Sequence, residues 1–112
     1  MFIKTRTVVA KVDRFQETLA LAHRICDHLN ELGIKTEVST TLFDRPREIH
    51  FASRHPNMES LLGEFQKLQG SEVFKELFEL ASDCIIDGMS STKVTLVRTP
   101  GKAFNDELLT LL

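Results

Sequence analysis

The sequence predicts an α+β domain whose elements follow the order β-α-β-β-α-β. Three observations support this prediction. The stretch 48–87 begins with the alternation of a strand, turns at 54–57 and continues with the three- and four-residue spacing of a helix. A Thr- and Val-rich strand near the N-terminus precedes another amphipathic helix. Residues 92–98 have the composition of a final strand.

The composition is that of one soluble domain. A chain of 112 residues, 42% of them hydrophobic and 27% charged, can bury a core without disulfides or metal. The net charge of -2 gives no basic face for nucleic acid. Residues 1–6 lack the apolar core of a signal peptide, and no apolar run has membrane-spanning length. Cys26 and Cys84 are expected to be buried thiols, which nothing requires to be joined, so we expect a cytoplasmic protein.

The first strand and the first helix are predicted over residues 3–12 and 15–32. Asp13 has the position of an N-cap, and Gln16 completes a capping box with it. The helix has one apolar stripe, and Gly33 follows it as a residue suited to a helix end.

A β-hairpin is predicted next. Its strands are residues 34–43 and 48–53, joined by a turn. The second helix, from about residue 57 to 82, is expected to break at Gly70 and Ser71. A glycine suits a left-handed helix end, and a serine suits the next N-cap.

A last strand and a tail complete the chain. Residues 83–87 are expected to form a short strand or to lead into one, and residues 92–98 form the final strand. We therefore assign the domain to residues 1–98. Residues 99–112 are a C-terminal tail whose short helix, 105–112, is expected to pack on the domain or on a dimer partner.

This order of elements is the split β-α-β arrangement of ferredoxin-like folds. Right-handed crossovers place both helices on one face of a four-stranded antiparallel sheet. Several strands have adjacent apolar residues, which point to opposite faces of the sheet: Val8 and Val9, Leu42 and Phe43, Leu96 and Val97. A second covering layer is therefore expected, and a homodimer that places two sheets face to face would supply it.

The domain resembles the dimeric α+β barrel superfamily, and most of all its antibiotic-biosynthesis-monooxygenase-like, NIPSNAP-like and stress-responsive members. The resemblance rests on the order of elements, on Arg-His-Pro at 54–56 and on the helix break. These families often have Asp-Pro at the break and an aromatic residue a few positions on. Here Gly70 and Ser71 replace the dipeptide, and Phe74 or Phe78 holds the aromatic position.

Two related functions are disfavoured by the residues present. Haem-degrading members of the superfamily use a histidine on the second helix, and residues 58–82 contain none. RNA-recognition domains share the topology but need stacking aromatics on the third strand, where residues 47–54 contain one aromatic residue and no glycine. The four histidines have no metal-site spacing, so we expect neither a metal nor a cofactor.

His50 is the leading candidate for a functional residue. It alternates with Ile49 and Phe51, so it is expected to face the interior of the dimer barrel. Arg6 and Glu37 are expected to converge with it, His50 acting as base, Arg6 as anion or oxyanion stabiliser and Glu37 as orienting group. The alternative is a cross-sheet ion pair between Arg6 and Glu37, with His50 a satisfied core or interface residue.

Two function classes stay open. The resemblance implies a cofactor-independent monooxygenase-like or isomerase-like enzyme acting on a small hydrophobic or aromatic metabolite. The alternative is a non-catalytic ligand-binding or protein-interaction module. The expected partners are a second copy of the chain and a small ligand, without nucleic acid or membrane.

Overall fold

A computed structural model describes residues 1–43 and 45–98 of the chain. Its elements are β1 (Phe2–Val9), α1 (Phe15–Glu31), β2 (Thr36–Thr40), β3 (Glu48–His55), α2 (Met58–Gln69), α3 (Glu72–Ser82) and β4 (Ser91–Leu96). The four strands form one antiparallel sheet in the order β2-β3-β1-β4. The predicted ferredoxin-like α+β fold with a broken second helix is confirmed. The predicted tail helix lies outside the described residues.

The three helices lie on one face of the sheet, which we call the helix side, and leave β4 exposed. Directly paired residues in a sheet share a face, so Val8 and Ile49, which pair, both enter the core beside Ala22 of α1. A second core cluster joins Ile25 on α1 to Leu77 on α3. None of the helices within the described ranges has both the length and the apolar character needed to cross a membrane.

The helix ends follow the predictions in part. Gly33 has φ +84°, and Ser71 caps α3 by accepting a hydrogen bond from the Phe74 N–H at 3.1 Å, both as expected. The predicted capping role of Asp13 is wrong, because a turn carries the chain past Asp13 and makes Arg14 the N-cap residue, without a side-chain cap. The predicted left-handed conformation of Gly70 is also wrong, since its φ is -85°.

The strand ends differ more from the predictions. β2 stops at Thr40, because the ladder loosens there and the N–H of Thr41 lies 3.5 Å from the carbonyl oxygen of Glu48. Leu42 and Phe43 therefore lie beyond the strand and are 80% and 79% exposed. They give no support to a strand that is apolar on both faces.

Two further segments have different limits from those predicted. β3 runs two residues further than predicted and ends at His55. The short strand predicted over 83–87 is a single bridge between Ala10 and Ile85.

Candidate functional site

A cleft opens between the helices and the helix side of the sheet. It holds about 790 Å³ when the open solvent at its mouth is included. Apolar side chains form most of its lining: Val8, Ala22, Ile25, Leu29, Phe51, Leu68, Phe74, Phe78, Ala81 and Ile85. The polar lining consists of Lys4, Arg6, Thr18, Thr36, Ser53 and Glu64.

Glu64 on α2 is the centre of a buried network. Lys4 Nζ donates a hydrogen bond to Glu64 Oε2, and His55 Nε2 lies 3.0 Å from Glu64 Oε1. His55 also lies 3.1 Å from Ser53 Oγ through Nε2 and 2.9 Å from Ser60 Oγ through Nδ1. The side chains of Glu64 and His55 are each 3% exposed, and that of Lys4 is 13% exposed. Among the described residues, every buried side-chain nitrogen and oxygen has a hydrogen-bond partner.

The network keeps Glu64 ionised. Burial by itself raises the pKa of Glu64, because it disfavours the charged form. Hydrogen bonds from Lys4, Ser53 and His55, together with the charge of Lys4, outweigh burial and hold the pKa of Glu64 below its ordinary value of 4.5. At neutral pH Glu64 is a carboxylate, so the His55 Nε2–H group donates to it. The Lys4 ammonium group also lies 4.8 Å from the centre of the Phe65 ring.

Arg6 adds a positive charge to the cleft that this network does not balance. It lies two residues after Lys4 on β1, on the same face, and its Nη1 donates to Thr92 Oγ1 at 3.0 Å. No carboxylate from residues 1–43 or 45–98 lies within 4.0 Å of its guanidinium group. Its hydrogen bond to Thr92 is exposed, so the guanidinium group lies at the open edge of the cleft, where it can attract an anionic ligand through charge-assisted hydrogen bonds.

His50 lies on the opposite face of the sheet, which we call the open side. Its Nδ1 is 2.9 Å from Thr7 Oγ1, and its Nε2 is 2.8 Å from Thr41 Oγ1. Both ring nitrogens are therefore held by hydroxyl groups. This geometry suits the satisfied interface residue that the sequence offered as the alternative.

The three predicted site residues do not converge in one chain. Glu37 shares the open side with His50, but its carboxylate lies 3.9 Å from Arg54 Nη2 and no hydrogen bond joins it to His50. Arg6 pairs with Phe51 in the β1–β3 ladder and lines the cleft on the helix side. The expectation of a common cavity is wrong because β1 has the opposite alternation from the one predicted.

Glu64 and His55 are the functional candidates that sequence reasoning missed. Leu62 and Phe65 belong to the apolar residues with helical spacing, but they are 55% and 42% exposed while Glu64 is buried. The signal available in the sequence was the position of Glu64, a carboxylate one helical turn after the buried Leu61. It marks an ionisable group on the face of α2 that meets the sheet.

The chain is similar to known proteins in structure but not in sequence. No protein-family model and no curated protein matches the sequence. An antibiotic biosynthesis monooxygenase superposes on the chain with a TM-score of 0.69 at 13% identity, covering 88% of this chain and 100% of the other. An uncharacterised NIPSNAP domain protein from Burkholderia xenovorans gives 0.75 at 8% identity, covering 88% and 96%. A NIPSNAP family protein from Agrobacterium tumefaciens gives 0.71 at 15% identity, covering 87% and 92%.

The chain has the antibiotic-biosynthesis-monooxygenase-like and NIPSNAP-like fold. The resemblance predicted from the order of elements is confirmed at the level of architecture. One fold supports many chemistries, so the function has to be argued from the cleft.

Within this fold, the cleft brings one ionised carboxylate, Glu64, together with the cations Lys4 and Arg6. Glu64 can accept a proton, Lys4 can donate one, and Arg6 can stabilise an oxyanion. No group of three or more His, Cys, Asp or Glu side chains in the described part of the chain is placed to hold a metal ion.

Proposed function

We propose that the chain is an enzyme that binds a small, largely apolar or aromatic anion in the cleft and moves a proton on it. The observation that carries the proposal is the position of Arg6 beside the Lys4–Glu64 pair in a cleft whose remaining walls are mainly apolar. Phenylalanine rings at 51, 74 and 78 would contact the apolar body of the ligand. The anionic group would lie on Arg6.

The reaction begins with removal of a proton from a carbon next to a carbonyl group. Glu64 accepts this proton, while Arg6 and Lys4 stabilise the enolate oxygen that forms. In an isomerisation, the same proton returns to another carbon of the substrate. In an oxygenation, dioxygen is the oxidant: one oxygen atom replaces two hydrogens on the substrate carbon, and the other leaves with them as water. The shared fold of an antibiotic biosynthesis monooxygenase makes oxygenation the first reaction to assay.

The binding step is tested with anilinonaphthalene sulfonate, an aromatic anion that fluoresces when it enters an apolar site. We expect Arg6→Met to weaken its binding about tenfold, because one charge-assisted contact contributes roughly 1.5 kcal/mol or more. Arg24→Met, on the exposed face of α1, is the matched control and should bind as the wild type does. Equal affinities for the two variants would place the probe outside the cleft and contradict the proposal.

A non-catalytic binding module is the second candidate, and one observation favours it. Both oxygens of Glu64 and both ring nitrogens of His55 are already engaged, as in a network that only maintains the structure. The two functions are separated by incubating the protein with aromatic ketones in D₂O. NMR then follows the exchange of the ketone's acidic C–H hydrogen for deuterium. Exchange that Lys4→Met abolishes supports the enzyme; Arg6-dependent binding without exchange for any ketone supports the module.

Homodimerisation through the open side remains a separate proposal. Support comes from the four-stranded sheet itself, whose open side carries Thr5, Thr7 and Ala52 and is covered by no helix within the described ranges. A stable interface buries roughly 1,200–2,000 Å², and a whole sheet face can supply that area. Native mass spectrometry at micromolar concentration should show a dimer, which Ala52→Arg dissociates and the control Ala20→Arg on α1 does not. A monomeric wild-type mass would end this proposal.

A further inference from the structure

An apolar surface lies uncovered at the β4 edge of the sheet. Val94 and Leu96 pair with Lys4 and Phe2 of β1, so they share the helix side with Lys4. They are 47% and 44% exposed, and the other residues of β4 are exposed as well. On the open side, the same strand carries a serine, a lysine and a threonine. The helix side of β4 is therefore its apolar side, and no helix within the described ranges buries it.

One side of α2 continues this apolar surface. It carries three side chains at helical spacing, each at least 42% exposed: Met58, Leu62 and Phe65. The centre of the Phe65 ring lies 4.8 Å from Lys4 Nζ, and Lys4 pairs with Val94, so Phe65 and Val94 are neighbours of the same lysine. The other side of α2, at Lys67, faces the turn at Gly33. We call these three side chains, with Val94 and Leu96, the edge surface.

The segment that follows β4 has a composition suited to covering the edge surface. Residues 99–112 lie outside the described residues and continue the chain from Arg98, two residues after Leu96. Five of residues 104–112 are apolar: Phe104, Leu108, Leu109, Leu111 and Leu112. The helix that the sequence predicts over 105–112 would be roughly 12 Å long. Residues 99–104 can span up to about 20 Å, which is enough to turn the segment back over β4.

The direction of β4 favours the segment from the same chain. β4 is antiparallel to β1 and ends beside Phe2, which also pairs with His55, three residues before α2 begins. The chain therefore leaves β4 at one end of the edge surface. A segment tethered there by a short linker has an effective concentration on the order of 1 mM, far above that of a second copy at micromolar concentration.

The charges near the edge surface also suit this segment. Arg6 donates to Thr92 on the helix side of β4, and none of the described carboxylates lies within 4.0 Å of it. Residues 104–112 carry the carboxylates Asp106 and Glu107 and no cationic side chain. The segment therefore brings negative charge towards a part of the sheet where the cation Arg6 lies.

We propose that residues 104–112 dock on the edge surface of their own chain, with their leucine side chains against Val94, Leu96 and Leu62. Docking removes apolar area of both partners from water, which is the main favourable contribution to such a contact. It covers the helix side of the sheet at β4, which the three helices leave exposed. The proposal does not depend on the reaction proposed for the cleft, because no residue of the edge surface lines the cleft.

The direct test is a methyl NOE experiment on the full-length protein with ¹³C-labelled leucine and valine methyl groups. We expect NOEs from leucines 108–112 to the methyl groups of Val94, Leu96 and Leu62. A sample that mixes labelled and unlabelled protein then selects the NOEs between copies. Contacts found only between copies would assign the edge surface to a second molecule and overturn the proposal, as would the absence of any such NOE.

Two exposed leucines provide a matched pair of variants. Leu62 is 55% exposed and Leu80 on α3 is 53% exposed among the described residues, but only Leu62 belongs to the edge surface. Leu62→Gln should lower the melting temperature by about 4 °C or more, because docking buries this side chain. Leu80→Gln should lower it by about 2 °C or less, as is usual for an exposed position. Equal shifts for the two variants would contradict docking at α2.

Variants in the segment itself complete the test. Leu108→Asp places a charge on the side expected to dock, so it should abolish the NOEs to Val94 and remove the difference between Leu62→Gln and Leu80→Gln. Thr110→Asp adds the same charge two residues away, on the other side of the predicted helix, and should keep both. NOEs that persist in Leu108→Asp, or that both aspartate variants lose alike, overturn the proposal.

Discussion

The two faces of the sheet carry similar side chains in different environments. On the helix side, His55 and Glu64 are each 3% exposed and joined at 3.0 Å. On the open side, His50 is held by two threonine hydroxyls, and Glu37, 70% exposed, faces an arginine at 3.9 Å. A histidine and a carboxylate are present on both sides. Only the helix side removes them from water.

This difference teaches that burial, rather than residue type, decides the chemistry. Removing one partner of a buried ion pair is strongly destabilising, because the other charge is left buried without a counter-charge. An exposed pair is screened and contributes little. The helix side is therefore the place for a reaction or a binding event that depends on charge, and the open side suits an interface. Matched substitutions on the two faces test the comparison.

The largest effect is expected for Glu64→Gln. It leaves Lys4 and His55 without their buried counter-charge, so the free energy of unfolding at pH 7 should fall by about 3–5 kcal/mol. The matched change on the open side, Glu37→Gln, should cost no more than about 0.5 kcal/mol. Urea denaturation followed by circular dichroism measures both. Equal losses would mean that the two faces do not differ as described.

A smaller difference is expected between the histidines. His55→Ala leaves Ser53, Ser60 and Glu64 short of a buried partner and should destabilise the protein by about 2–3 kcal/mol. His50→Ala frees two threonine hydroxyls that water can reach, so about 1 kcal/mol or less is expected. Thermal unfolding of the two variants compares them directly. His50→Ala should also keep anilinonaphthalene sulfonate affinity, because His50 is on the other face from the cleft; a large loss of affinity would restore it as a site residue.

The smallest effect is expected in the acid dependence of stability. The pKa of Glu64 is lowered in the folded protein. Its charge therefore stabilises the folded state fully at pH values above the unfolded-state pKa. This stabilisation is lost as the pH falls through the lower folded-state pKa. Below about pH 4.5 the wild type should therefore lose stability more steeply than Glu64→Gln. Parallel curves for the wild type and Glu64→Gln, from urea midpoints between pH 3 and 6, would contradict this assignment.

The order of elements was predictable because it depends on local patterns. Helical spacing located the helices, the serine at position 71 predicted the start of α3, and Gly33 predicted the end of α1. The ends of the strands were less predictable, since a strand ends where its partner stops pairing. Leu42 and Phe43 have a strand-like sequence but lie beyond the last pair of the β2–β3 ladder.

The α+β order and the face of β3 that carries His50 could be predicted from the sequence, because each depends on spacing within one segment. Which alternate residues of β1 face the helices depends instead on the pairing of β1 with β3. Hydrophobicity favours Ile3 for that side, but the register with β3 places Lys4 and Arg6 there instead. Two cations are stable on this face because Glu64 arrives from α2, sixty residues after Lys4, to bind one of them. A contact between such distant residues leaves no local pattern, so only the folded chain shows the site.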